Sequence, residues 1–132
     1  METNLDSLFK TKASLESEGV WFKVSKETSF CLKRFGGSNS HKVKVAMAKY
    51  HKPHARLIEA DALSIEETNK IMAQVVASAC LVDWKGVVVD GAELPCNFEN
   101  AVKLFCELPE LFNALFQYIS GVESFKEDLG NS

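Results

Sequence analysis

Apolar positions change their period along the chain, and each change marks an element. Leu5, Leu8, Phe9, Lys12 and Leu15 recur at three- and four-residue spacing, which predicts a short amphipathic helix over residues 4–17, closed by Gly19. The period then drops to two. Val20, Phe22 and Val24 alternate with Trp21 and Lys23, Phe30 and Leu32 alternate with Cys31 and Lys33, and a polar stretch at 25–29 separates them, the pattern of a β-hairpin. Residues 36–40, Gly-Gly-Ser-Asn-Ser, read as a flexible turn. Residues 41–51 place Val43, Ala46, Met47 and Tyr50 on one side of a helix that Pro53 interrupts, although the alternation at 42–45 leaves strand open.

The clearest helix begins at Ser64. Ser64 and Glu67 have the spacing of a capping box, hydroxyl to one free amide and carboxylate back to another. The helix is expected to run to about Val82, with Ile65, Met72, Val75, Val76 and Ala79 on one face, widened by Ile71, Cys80 and Val82. Residues 83–94 carry Trp84, Gly86, a valine run and Asp90-Gly91, a tight-turn signal that predicts a second small hairpin. Asn97 is placed to cap the next helix, just after Pro95 and Cys96 and with Glu99 in its first turn. Pro109 suits the first position of a further helix whose stripe is Leu111, Phe112, Leu115, Phe116 and Ile119. Gly121 should bend or end it, with Val122, Phe125 and Leu129 continuing an amphipathic pattern into a polar tail at about 127–132. The expected fold is α+β and predominantly α-helical: one compact domain over 1–132 with one or two small antiparallel β-hairpins.

Composition fits this picture without redirecting it. With 132 residues, 46% of them hydrophobic and 25% charged, the chain can remove roughly 65–70% of its unfolded surface from water, so a core without disulfides or structural metal is expected and disorder is not. No apolar run approaches the roughly 18 residues that cross a bilayer, and the opening METNLDSLFK lacks the features of a secretory signal, so a cytosolic protein is expected. Cys31, Cys80, Cys96 and Cys106 form no C-x-x-C pair and read as buried reduced thiols.

Charge changes the picture more. The net charge of −3 hides a segregation: residues 28–58 carry seven Lys and Arg with no acid, whereas residues 59–132 hold thirteen acids against four Lys. If the fold keeps these segments apart, the molecule is electrically polarised. Head-to-tail self-association, weakened by salt, would follow.

Candidate chemistry is sparse. His51-x-x-His54 lacks the third and fourth ligands of a zinc site, and Pro53 sits between the two. No phosphate-cradling glycine loop or paired-carboxylate motif is present, and a cysteine nucleophile on an apolar helix face would be held inert by a raised pKa. No cofactor, metal or catalytic residue is expected, and the protein is read as a non-enzyme. The basic stretch could meet phosphates, with Tyr50 to stack on a base, but the acidic C-terminal half opposes a polyanion. Nine phenylalanines, five of them after position 97, exceed what one packing stripe of a terminal helix needs, so some are expected on a binding surface.

Several of these residues together resemble a known family. Asp83-Trp84-Lys85-Gly86-Val87, Asp90-Gly91, Leu94-Pro95, Glu99-Asn100-Ala101, Leu104-Phe105 and Leu108-Pro109-Glu110-Leu111, with FCLKRFGG at 30–37, look like the signature of tail assembly chaperones from long-tailed, lambda-like bacteriophages. Pro95-Cys96-Asn97 departs from the Pro-Phe-Ser more usual there, though Asn97 keeps the cap chemistry. The resemblance implies a non-enzymatic chaperone of the host cytoplasm, absent from the finished virion, that coats the tape measure protein and keeps its apolar helices soluble. It also implies a longer frameshifted product that recruits tail-tube subunits. On this reading Lys42, Lys44, Lys49 and Arg56 meet an acidic surface of another copy, and Leu111, Phe112, Leu115, Phe116 and Ile119 bind the partner or a neighbouring copy, the alternative for this apolar face being ordinary core. Ser64, Glu67, Trp84, Gly86, Gly91, Pro95, Asn97 and Pro109 are structural anchors. The alternatives are a structural head-tail or tail subunit and a small nucleic-acid-binding regulator.

Overall fold

The computed structural model of the chain describes residues 10–126, together with Leu5. The element order is α1 (Ala13–Glu18), β1 (Val20–Lys23), β2 (Ser29–Leu32), α2 (Ser40–Ala46), α3 (Ala55–Glu59), α4 (Ile65–Ala79), β3 (Leu81–Lys85), β4 (Val88–Val89), β5 (Ala92–Glu93), α5 (Phe98–Glu107) and α6 (Pro109–Ile119). This is the expected predominantly helical α+β domain, with antiparallel sheets of three and two strands. Of the helix predicted over 4–17, residues 13–17 are helical, whereas Leu8 and Phe9, like Leu129 and the 127–132 tail, lie outside the described residues.

The expected first hairpin forms, with Phe22 opposite Phe30, and a third strand joins it. The expectation that the Ser64 helix runs to Val82 is corrected. It stops at Ala79, and Leu81 and Val82 open β3, which pairs with β2 and sets Trp84 opposite Phe30. The strand begins where the Cys80 carbonyl accepts a 2.7 Å hydrogen bond from the Lys33 amide. Pairing with β2 thus supplies partners to the chain beyond the helix end, and a β-branched side chain gains more there than in a further helical turn. Phe22, Phe30 and Trp84 occupy one face of the three strands and turn inward, with the Phe30 and Trp84 rings edge to face at 5.8 Å. Trp21 stays on the opposite face, under the Lys85 ammonium at 4.3 Å from the ring centre.

Helix α4 is the central post. Val75 and Val76 are wholly buried, α5 packs along it, and α2 with the turn behind it packs on it too. Ile65, assigned by sequence to the same buried face, is 76% exposed, because it occupies the first turn, beyond the reach of the neighbouring helices. Val43 and Ala46 of α2 are buried, with Met47 and Tyr50 half-buried, so residues 42–45 are helix and not strand. The helix does not reach Pro53 unchanged: a π turn spans Met47–His51 and a 3-10 turn Lys52–His54. A proline removes one amide and crowds the carbonyl four residues back, and these changes of pitch carry the chain past it.

The turn at 36–40 is not the flexible loop that its composition predicts. Asn39 is buried, and its amide donates to the carbonyls of Arg34 and Ala79, each at 2.9 Å. The second acceptor is one of the carbonyls left over at the C-terminal end of α4. Below it the core is filled by Leu32, Phe105, Leu115, Ile119 and Phe125.

Candidate functional site

The anchors assigned by sequence build one region of the molecule. The Asn97 side chain accepts from the Asn100 amide at 2.8 Å and starts α5; the Asn100 side chain in turn donates to the Pro95 carbonyl at 2.9 Å. Trp84 is buried, and its indole donates to the Leu94 carbonyl at 2.7 Å, fastening the strand after the second hairpin to the sheet. That hairpin turns at Asp90 and Gly91, both at positive φ, as the Asp-Gly pair predicts. Pro109 opens α6 directly after α5. Earlier in the chain, Ser64 and Glu67 complete both hydrogen bonds of the capping box, at 3.1 and 3.2 Å, and these bonds lower the Glu67 carboxyl pKa.

Between the β1–β2 turn, the 86–89 segment and the junction of α5 with α6 lies an open groove of about 460 Å³. Its apolar wall includes four exposed side chains: Val24 (37%), Val88 (58%), Val89 (41%) and Leu108 (49%). Two carboxylates, Glu27 and Glu107, line it, and no Lys or Arg does. Gly86 holds the groove's floor in shape. It has φ +69, and a Cβ there would fall 1.9 Å from the Glu27 carbonyl oxygen, while the Thr28 hydroxyl donates to the Gly86 carbonyl at 2.8 Å.

The partner-binding stripe expected on the last helix is corrected. Phe112, Leu115 and Ile119 are buried in the core, and Leu111 and Phe116 are half-buried, Leu111 at the wall of the groove. The two near-adjacent apolar pairs do not form an exposed band, because α6 is covered on one side by α5 and on the other by the 123–125 turn and β1. Phe112 meets Phe105 and Tyr118 stacks on Phe22. Likewise most of the described phenylalanines are buried or half-buried; among them Phe98, 37% exposed, is the exception and stacks on Tyr50 at 5.7 Å. Tyr50 is therefore engaged within the chain, not presented for a base.

The cationic residues are where a surface role requires them. Lys42, Lys44, Lys49 and Arg56 are all exposed. Lys42 and Lys49 flank Val45, itself 54% exposed, and with His41 and Tyr50 they border a shallow hollow of about 330 Å³ with no acid among its described lining residues. Arg34 is spent differently, in a 3.2 Å ion pair with Glu16. Partial burial raises the Glu16 pKa, but the Thr11 hydroxyl, the Ser38 amide and the Arg34 guanidinium together outweigh it and leave the carboxyl below its ordinary value.

Among the described residues no group of three or more His, Cys, Asp and Glu converges to hold a metal, and no helix is long and apolar enough to cross a membrane. The four cysteines are free thiols; Cys31 and Cys80 are buried, and burial pushes Cys80 up to about 12. Cys96 is only half-buried and Cys106 is exposed, which corrects the expectation of four buried thiols.

The groove was missed at the level of sequence. Its one signal was three successive valines at 87–89, of which only Val87 is buried, beside a turn too short to hide the others. Comparison with curated proteins and with solved structures gives no match. The family described as YdaY prophage protein matches residues 38–129, which take in the basic helix, α4 and both anchored helices. That match covers more than two thirds of the chain, and the protein therefore belongs to the YdaY prophage protein family and is of phage origin.

Proposed function

We propose that this prophage protein is a tail assembly chaperone that binds apolar helical stretches of the tape measure protein and keeps them soluble during tail morphogenesis. The observation that carries the reading is the groove with four exposed aliphatic side chains along it. An open apolar groove accepts the apolar face of an amphipathic helix, and its shallowness suits repeated, reversible binding. The acids at its edge exclude acidic stretches and leave the aliphatic wall to do the holding. Phage origin and the resemblance of the 83–111 anchors to tail assembly chaperones support the same reading. In it the protein works in the host cytoplasm, is absent from the mature virion, and reaches tail-tube subunits through a longer frameshifted form.

Co-expression with the tape measure protein tests it. The tape measure protein should remain in the soluble fraction with the wild-type chain and precipitate with Val88→Asp/Leu108→Asp, two exposed positions, once far-UV circular dichroism has shown that the variant keeps the wild-type helix content. A tape measure protein equally insoluble with and without the wild-type chain overturns the reading, as does recovery of this chain in purified virions.

A further inference from the structure

Two surfaces of the chain oppose each other in charge. Among the described residues, the groove is lined by Glu27 and Glu107 and by no Lys or Arg, and the hollow around Val45 by Lys42, Lys49 and His41 and by no acid. Each has an exposed aliphatic centre, Val88 and Leu108 in one and Val45 in the other. They share no residue. One is built from the hairpin turns and the end of α5, the other from α2 and the π turn against Ser78 of α4. A single copy can therefore offer both at once.

We propose that, in the protein free of client, the acid-lined groove of one copy receives the basic face of α2 from a second copy. Val45 enters the aliphatic wall while Lys42 and Lys49 reach Glu27 and Glu107. Because the two surfaces differ, the contact is heterologous, and it propagates into open chains or closes into a ring. The pairs lie at the rim in reach of solvent, so raising the salt, which shortens the screening length from about 10 Å at 0.1 M to about 3 Å at 1 M, weakens the assembly. This inference rests on the chaperone reading only in assigning the client to the same groove, where client and neighbouring copy compete.

Sedimentation velocity on the full chain, at low and high salt, tests it with a charge swap at exposed positions. Lys42→Glu/Lys49→Glu carries acid on both surfaces, and Glu27→Lys/Glu107→Lys carries base on both. Far-UV circular dichroism checks that each retains the wild-type helix content. The wild type should sediment as species of at least twice the 14.7 kDa chain at low salt and shift toward the single chain at high salt. Each variant alone should stay at the single-chain mass, and an equimolar mixture should regain the wild-type distribution, since each now complements the other at both surfaces. A wild type that is monomeric at every concentration, variants that assemble as the wild type does, or a mixture that stays monomeric overturns the proposal. So does a basic face that retards an oligonucleotide while the mixture fails to assemble. Client solubility is scored separately: a monomeric wild type that keeps the tape measure protein soluble overturns the assembly and leaves the chaperone reading, and an assembly rescued by the swap with the client still insoluble does the reverse.

Discussion

Gly86 and Gly91 share a backbone region and differ in surroundings, which makes them a clean test of what each contributes. Both have positive φ, at +69 and +80, but a Cβ at Gly91 meets nothing within 4 Å, whereas at Gly86 it strikes the Glu27 carbonyl. Gly91→Ala should cost about 1 kcal/mol, the strain of a left-handed alanine alone. Gly86→Ala adds a backbone clash and should cost on the order of 3 kcal/mol, or prevent folding, because two turns must separate to relieve it. Urea melts of the two variants measure the difference. Asn39 carries a comparable burden by hydrogen bonding. Asn39→Ala leaves the Arg34 and Ala79 carbonyls without their donor in a buried place, and a loss of about 2 kcal/mol in the same melts is expected. Gly86 was legible as part of an anchor motif; the burial of Asn39 was not, because a Gly-Gly-Ser-Asn-Ser string looks like any exposed turn until α4 is placed beneath it.

At the level of elements, helix starts were written plainly and helix ends were not. Ser64 and Asn97 each satisfy an amide that the helix leaves free, and the local spacing alone identifies them. Ser64→Ala and Asn97→Ala should each lower stability by about 1 kcal/mol, and hydrogen exchange should place the added opening in the first turns of α4 and α5 respectively. The end of α4 depends on β2, some fifty positions upstream, and no local rule sees that partner. The same applies to α6. Its stripe was correct as a periodic pattern and misassigned as a surface, since periodicity says which residues share a face and not what covers it.

At the scale of the whole molecule, the basic side chains of α2 and α3 are exposed, and the acids Glu27 and Glu107 line the groove. One ion pair is structural. Glu16 joins α1 to the 34–38 loop through Arg34, Ser38 and Thr11. Folding lowers its pKa below the ordinary 4.5, so the ionised carboxylate is the form the fold favours. Its contribution is complete above about pH 4.5 and lost as pH falls through the lower, folded value. The gap in stability between wild type and Glu16→Gln should therefore be widest at neutral pH and close in acid, as urea midpoints measured down the pH scale will record. A gap that is independent of pH would mean that the carboxylate's charge has no part in holding α1.

From the sequence alone came the fold class, the first hairpin, the Asp-Gly turn, both side-chain caps and the segregation of charge. The turn and the caps rest on residues within a few positions of each other, where backbone preference and spacing act directly, and the fold class and the charge segregation follow from composition and period summed along the chain. The third strand, the fixing of Asn39, the burial of the last helix and the groove were decided by tertiary structure. Each arises where segments distant in the chain compete for the same partner, and only packing determines which apolar side chains are covered and which are left facing water.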